Sequence, residues 1–239
     1  MNLKHSPLVE ALYEVTFEHK FEEYDPTLPG LFFAKVSDQF IDKKEIVGFE
    51  YEITDNDGNT RTIKNPYTRF NDNKGNFIQF TKDLIFFNKV EPKINWLDFK
   101  KNIVTNLEKY IEVNQNNVKS FSCLRFVNII KVPVDDLMSD YLTFSHAIPG
   151  NEKFSEVKNF HYQTSFTYEG SYAKIEVKSI SQSTDGENRL MLEISVEEEA
   201  NVTYDREQEN KWLQTSHDKI LEIFKNCLTE KSKDRYECC

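Results

Sequence analysis

Apolar and polar side chains alternate at the start of the chain, and this pattern predicts a strand over residues 8–19. One face of that strand carries five apolar side chains: Val9, Ala11, Tyr13, Val15 and Phe17. Such period-two alternation is typical of a strand with one buried side. A longer run of β-branched and aromatic residues predicts a second long strand over residues 121–134, at the middle of the chain.

Apolar residues at helical spacing predict four helices. They cover residues 32–42, 95–113 and 135–147, and a closing helix follows Asp205. Asn95 and Asp205 are predicted N-caps, because their side-chain oxygens can accept hydrogen bonds from the first free amides of a helix.

Shorter apolar runs separated by turn residues predict the remaining strands. They cover residues 46–54, 61–70, 76–81, 84–90, 157–169, 172–180 and 189–198. Pro66 has no N–H to donate, so it predicts that its strand is broken or lies at an edge of the sheet. Hairpin turns are predicted at residues 55–58, 73–75 and 183–186, which are rich in Asn, Asp and Gly. For residues 55–59 a hairpin is favoured over a calcium loop, because glycine and a bidentate glutamate are missing from the positions that such a loop requires.

The order of elements repeats, which predicts an α+β fold of two related halves, residues 1–116 and 117–239. Trp96 and Trp212 occupy corresponding positions near the start of each half's closing helix. Each half has the order β-α-β-β-β-(β)-α. We expect the two first strands to pair about a pseudo-twofold axis, forming a curved antiparallel sheet with helices on its convex face. The saddle of the TATA-binding protein has this shape, and the comparison concerns shape alone.

Composition and charge narrow the class of partner. The 239 residues include 40 acidic and 30 basic side chains, giving a net charge of −10. This charge repels phosphate backbones, so nucleic acid is disfavoured as a partner.

No apolar run is long enough to span a membrane and no signal-peptide pattern occurs, which predicts a cytoplasmic protein. Cys123 and Cys227 are predicted to be buried free thiols, whereas Cys238 and Cys239 form an oxidisable tail.

Motifs with a known chemical role are absent from the sequence. It has no glycine-rich phosphate loop, no His-Glu-x-x-His motif, no cysteine pair at metal-ligand spacing and no nucleophile elbow. The sequence therefore predicts no catalytic residue, no metal and no cofactor.

Four polar residues stand where burial is costly. Glu10 and Arg125 lie on the two strands expected to pair, where they could form an ion pair that sets the register. Arg125 could instead anchor a carboxylate or phosphate ligand. Asn128 interrupts the same central strand, and His217 lies on the apolar side of the closing helix as a packing residue or as a pH-sensitive or catalytic group.

Three stretches carry a family resemblance. Residues 6–17, SPLVEALYEVTF, resemble a "Pro-Pro-Ile-x-Glu-Ala-x-x-Glu-Ile-x-Phe" opening, and residues 124–130, LRFVNII, resemble "Leu-Arg-Tyr-x-Asn-x-Ile". The closing stretch, residues 212–224 with Ser216, His217 and Asp218, is similar to a C-terminal "His-x-x-Ile-x-x-x-Phe" helix. A sporadically distributed family of bacterial proteins shares these motifs in this order, with Ser6 and Phe126 as the departures here. The family has no established chemistry, and its patchy distribution implies a role in defence or toxin immunity.

Taken together, these observations predict an accessory protein that binds another protein or a second copy of itself. Its acidic charge would favour a basic partner such as a nuclease or toxin. The alternative is a small-molecule sensor or an enzyme, with Arg125, Asn128 and His217 around a cavity between sheet and helix.

Overall fold

A computed structural model describes residues 6–18, 25–54, 60–81, 83–90, 94–133, 136, 138–143, 161–168, 170–180 and 187–236. Within these residues the chain has an α+β fold, built from a large, curved and unclosed antiparallel sheet of nine strands and four α-helices. This confirms the predicted class and the predicted kind of sheet. The turns predicted at residues 55–58 and 183–186, and the tail with Cys238 and Cys239, lie outside the described residues.

The strands are β1 (Leu8–Phe17), β2 (Asp42–Thr54), β3 (Thr60–Asn71), β4 (Asn76–Phe80), β5 (Leu84–Val90), β6 (Val118–Pro133), β7 (His161–Tyr168), β8 (Ser171–Ile180) and β9 (Glu187–Thr203). The helices are α1 (Leu28–Val36), α2 (Trp96–Asn114), α3 (Arg206–Cys227) and α4 (Glu230–Tyr236). The strands lie side by side in the order β2-β3-β4-β5-β1-β6-β9-β8-β7.

The centre of the sheet is the antiparallel pair of β1 and β6, as the sequence predicted. Tyr13 lies opposite Leu124 and Leu12 lies opposite Arg125. Because side chains alternate along each strand, Tyr13 and Leu124 point to one face of the sheet, and Leu12 and Arg125 point to the other.

Helices α1, α2 and α3 pack against one face, which we call the helix face. The ring of Phe32 in α1 lies 5.5 Å from that of Phe80 in β4 and 5.8 Å from that of Tyr110 in α2. Trp212 of α3 lies 5.8 Å from Tyr13 of β1, measured between ring centroids. Burial of these rings removes apolar area from water, which is the main driving force for the fold. We call the opposite face of the sheet the far face.

Both predicted N-caps are confirmed. The side-chain oxygen of Asn95 accepts hydrogen bonds from the amides of Leu97, at 3.0 Å, and Asp98, at 3.3 Å. Asp205 accepts from the amide of Gln208 at 2.8 Å. Among the described helices, none combines the length and the apolar composition that crossing a membrane would require.

The helix predicted over residues 135–147 is wrong in its described part. That part contains only a 3₁₀ turn, Met138–Asp140, and an isolated β-bridge between Leu142 and Leu228. The amide of Thr143 also donates to the carbonyl of Cys227 at 2.9 Å. Contacts with the end of α3 therefore satisfy backbone groups that a local helix would have used.

The position of β3 in the sheet and the bounds of α1 also differ from the predictions. Strand β3 is continuous and lies inside the sheet, because β2 is its outer neighbour. Pro66 is tolerated there because it lies opposite Val47, next to a register shift in the ladder. Helix α1 begins at Leu28 and ends at Val36, with Pro29 in its first turn, so it starts and ends earlier than predicted.

Candidate functional site

Arg125 lies at the centre of four glutamates on the far face. It is opposite Leu12 of β1 and Ser195 of β9 in the two strand pairings. Its four diagonal neighbours on those strands are all acidic and form what we call the glutamate square: Glu10, Glu14, Glu193 and Glu197. The square follows from period-two alternation on β1 and β9, which places an acid on each side of the position opposite Arg125.

Arg125 forms ion pairs with two opposite corners of the square. Its guanidinium nitrogens lie 3.8 Å from Glu14 Oε2 and 3.5 Å from Glu193 Oε1. All three side chains are partly screened from water, with exposed fractions of 33% for Arg125, 19% for Glu14 and 15% for Glu193. Burial raises the pKa of Glu14 above its ordinary value; Arg125 lowers it by less, and nearby Glu197 adds to the rise.

The predicted ion pair between Glu10 and Arg125 is wrong. Glu10 and Glu14 are both diagonal neighbours of Arg125, and the arginine turns to Glu14. Glu10 instead accepts a hydrogen bond of 2.7 Å from Asn88 Nδ2 on β5. Of the two glutamates on β1, Glu10 therefore pairs with the amide on β5 and Glu14 pairs with the arginine.

Cys123 lies between Glu14 and Glu197 in the same cross-strand row. It is a buried free thiol, as predicted, and so is Cys227. Burial raises the pKa of both thiols to about 12. Neither is therefore a thiolate at neutral pH, which excludes both as ready nucleophiles.

Asn128 and His217 are on the helix face, away from Arg125. Asn128 is buried and its Nδ2 donates to the carbonyl of Leu192 at 3.3 Å. The ring of His217 stacks on Trp96, with 4.2 Å between centroids and 14° between planes. Burial lowers the pKa of His217, and the neighbouring Asp218 opposes this only in part. The structure thus does not bring Arg125, Asn128 and His217 around one cavity.

A second group of polar side chains, absent from the sequence predictions, is buried beneath the first turn of α3. We call Tyr13, Lys119, Ser122 and Glu209 the buried polar cluster. Lys119 Nζ donates to Glu209 Oε2 and, at 3.3 Å, to Ser122 Oγ, and the Tyr13 hydroxyl donates to Glu209 Oε1. Only 7% of the Lys119 side chain and 1% of the Glu209 side chain is exposed. Burial, reinforced by the charge of Glu209, raises the pKa of Tyr13 well above its usual range.

The helical pattern contains a signal that points to Glu209. Glu209 precedes Leu213 by four residues and Ile220 by eleven, so it continues the apolar stripe of α3. Similarly, Ser122 precedes Leu124 on the buried side of β6. Lys119 gave no such signal, because it precedes the strand that the sequence predicted.

The buried polar cluster adjoins a cleft of about 350 Å³ between β9 and α3. Two of the cluster's side chains, Lys119 and Glu209, line the cleft. The other lining residues come from β9, from the turn before α3 and from the first turns of that helix: Glu198, Val202, Thr203, Asp205, Gln208, Lys211, Trp212 and Thr215.

Within the described residues, no group of three or more His, Cys, Asp or Glu side chains is arranged to hold a metal ion. In comparisons with family models, curated proteins and solved structures, nothing matches the chain. The glutamate square and the cleft are the two features whose geometry bears on function.

Proposed function

We propose that this protein is an accessory protein that binds a basic protein partner through the far face of its sheet. The observation that carries the proposal is the glutamate square, in which four glutamates occupy the diagonal positions around Arg125. With all five groups ionised, the centre of the far face has a net charge of about −3 by simple addition. A lysine or arginine of a partner would meet an excess of carboxylates there.

Aromatic side chains flank the acids in the same row of the sheet. Phe86 of β5 is opposite Glu14, and Tyr172 of β8 is opposite Glu197. Tyr172 is 52% exposed. Aromatic rings beside carboxylates suit lysine and arginine, because the ring contacts the aliphatic stem or the cation while the carboxylate pairs with the charge.

An anionic ligand is disfavoured at this site. It would approach four carboxylates before reaching Arg125, whose charge already pairs with Glu14 and Glu193. The overall charge of −10 acts in the same direction and would speed association with a basic partner. The defence or toxin-immunity role implied by the family resemblance would fit a basic toxin or nuclease, and it stays a prediction.

The two-half organisation belongs to this proposal. The boundary proposed after residue 116 falls between α2 and β6, and each half supplies a contiguous part of the sheet. We infer a duplicated, saddle-like architecture in which β1 and β6 lie beside the pseudo-twofold axis. The glutamate square would then lie next to that axis.

The test begins with affinity capture of the tagged protein from its own cells at low and moderate salt. The association rate of the recovered basic protein is then measured against the wild type and against the double variant Glu14→Gln/Glu197→Gln. The matched control is Glu207→Gln/Glu222→Gln, which removes two exposed acids from α3.

We expect the square variant to associate roughly tenfold more slowly at low salt and to lose most of its salt dependence. The control should behave like the wild type. Recovery of no stoichiometric protein, or equal association rates for the two double variants, would refute the proposal.

A further inference from the structure

At the inner end of the cleft between β9 and α3, the ammonium group of Lys119 can donate one more hydrogen bond. Lys119 Nζ carries three hydrogens, of which Glu209 and Ser122 accept two. Within the part of the chain that the structure describes, no acceptor is present for the third. Lys119 lines the cleft, and a buried ammonium with one hydrogen that lacks an acceptor favours an acceptor from a molecule bound there.

Among the described residues, some of the other charged groups of the cleft have a partner within the protein and others do not. Asp205 accepts a hydrogen bond from the amide of Gln208 as the cap of α3, and Glu209 accepts hydrogen bonds from Tyr13 and Lys119. Glu198 and Lys211 also line the cleft, and neither has an ion-pair partner among the described residues. One carboxylate and one ammonium are thus available near the mouth, in addition to the third hydrogen of Lys119.

Apolar surface lies between these charges. Val202 is 41% exposed, and Trp212 packs against Tyr13 at the base of the cleft. The volume of about 350 Å³ lies at the lower end of the range of small-molecule sites, which is roughly 300–1,000 Å³. It suits one small molecule with an apolar body.

From this arrangement we propose that the cleft binds a small apolar α-amino acid in its zwitterionic form. The carboxylate of the ligand accepts from Lys119 and Lys211, its ammonium pairs with Glu198, and its side chain packs on Val202 and Trp212. A ligand with both charges gives Glu198 and Lys211 each a partner, whereas a simple acid leaves Glu198 unpaired and a simple amine leaves Lys211 unpaired and the third hydrogen of Lys119 without an acceptor. This site is on the helix face and is independent of the glutamate square.

The experiment is isothermal titration of the full chain with L-phenylalanine and L-leucine. Matched analogues lack one charge: 3-phenylpropionate has no ammonium, and 2-phenylethylamine has no carboxylate. We expect at least one amino acid to bind with a Kd below about 1 mM, and the analogues of phenylalanine to bind about tenfold or more weakly than the amino acid. Failure of both amino acids to bind, or equal binding of an analogue lacking one charge, would overturn the proposal.

Variants of the two mouth residues locate the binding. Glu198→Gln and Lys211→Ala change residues outside the buried polar cluster, so folding should be retained; each should weaken amino-acid binding about tenfold. Glu222→Gln and Lys225→Ala change exposed residues further along α3 and serve as matched controls. Equal affinity of the mouth variants and the controls would refute the site. None of these substitutions alters the glutamate square, so the outcome is separate from that of partner binding.

Discussion

The hydroxyl group of Tyr13 donates a hydrogen bond to Glu209, although 196 residues separate the two in sequence. This bond joins the first strand of the sheet to the first turn of α3. Lys119 of the central strand β6 completes the contact from the other side of Glu209. The polar centre of the helix face is therefore built from the beginning, the middle and the end of the chain.

Removal of either charge of the buried pair should strongly destabilise the protein. Lys119→Met or Glu209→Leu leaves an uncompensated charge in a site that excludes water, and each should lower the free energy of unfolding by about 3–5 kcal/mol. The double variant should lose much less than the sum, because neither charge is left unpaired. Urea unfolding of the four proteins in the cycle measures this coupling. A cost below about 1 kcal/mol for Lys119→Met would contradict the buried ion pair.

Tyr13 should contribute to the loss of stability in alkali. Its pKa is raised in the folded state, so its stabilising contribution is complete below an unfolded pKa of about 10 and is lost as the pH rises further. Tyr13→Phe should cost about 1.5–3 kcal/mol at neutral pH, because the tyrosine donates to a charged group. The variant should also lose less stability than the wild type between about pH 8 and pH 11. Tyr172→Phe, at an exposed position, is the control, and matching alkaline profiles for all three proteins would exclude this role.

His217 should make the protein less stable in weak acid. Its pKa is lowered in the folded state, so its contribution is present above the unfolded pKa of about 6.5 and is lost as the pH falls below it. His217→Phe keeps an aromatic ring against Trp96 but cannot titrate. Its stability should therefore change less than that of the wild type between about pH 7 and pH 5. His161→Gln, at an exposed histidine, is the control. If the stability of His217→Phe falls between about pH 7 and pH 5 as steeply as that of His161→Gln, this role of His217 is contradicted.

Glu14→Gln should stabilise the protein at neutral pH. Burial makes the ionised carboxylate unfavourable, and Arg125 retains Glu193 as a partner when Glu14 is neutral. Because the folded-state pKa of Glu14 is raised, its ionisation costs stability as the pH rises through that pKa. We expect the free energy of unfolding to rise by up to about 1 kcal/mol near pH 7. The gain should vanish well below about pH 4, where Glu14 is neutral like the glutamine that replaces it. Denaturation at both pH values, with Glu222→Gln as the control, measures it; a clear loss of stability at pH 7 would show that the ion pair dominates.

The sequence predicted elements better than it predicted contacts. The alternation around Tyr13 and the caps at Asn95 and Asp205 depend on residues close in sequence, so the strand β1 and the starts of α2 and α3 could be predicted. The region around Leu142 could not, because its pairing with Leu228 comes from the far end of the chain.

Among the candidate polar residues, the sequence indicated which positions were unusual but not what they would meet. It selected Glu10 and Arg125 and the strands that carry them. Their actual partners, Asn88 for Glu10, and Glu14 and Glu193 for Arg125, depend on register and on competition between neighbouring strands. A strand pairing places several diagonal neighbours within reach, and local pattern cannot choose among them.

The sequence by itself determined the α+β class, the central antiparallel strands and the buried sides of the main elements. These properties follow from the geometry of a single strand or helix, which sets the period of its apolar residues. The tertiary structure alone decided that Lys119 and Glu209 would share a buried site and that four glutamates would surround Arg125. The physical reason is that burial and charge pairing depend on which distant segments cover a side chain, and this is settled only when the sheet and its helices pack together.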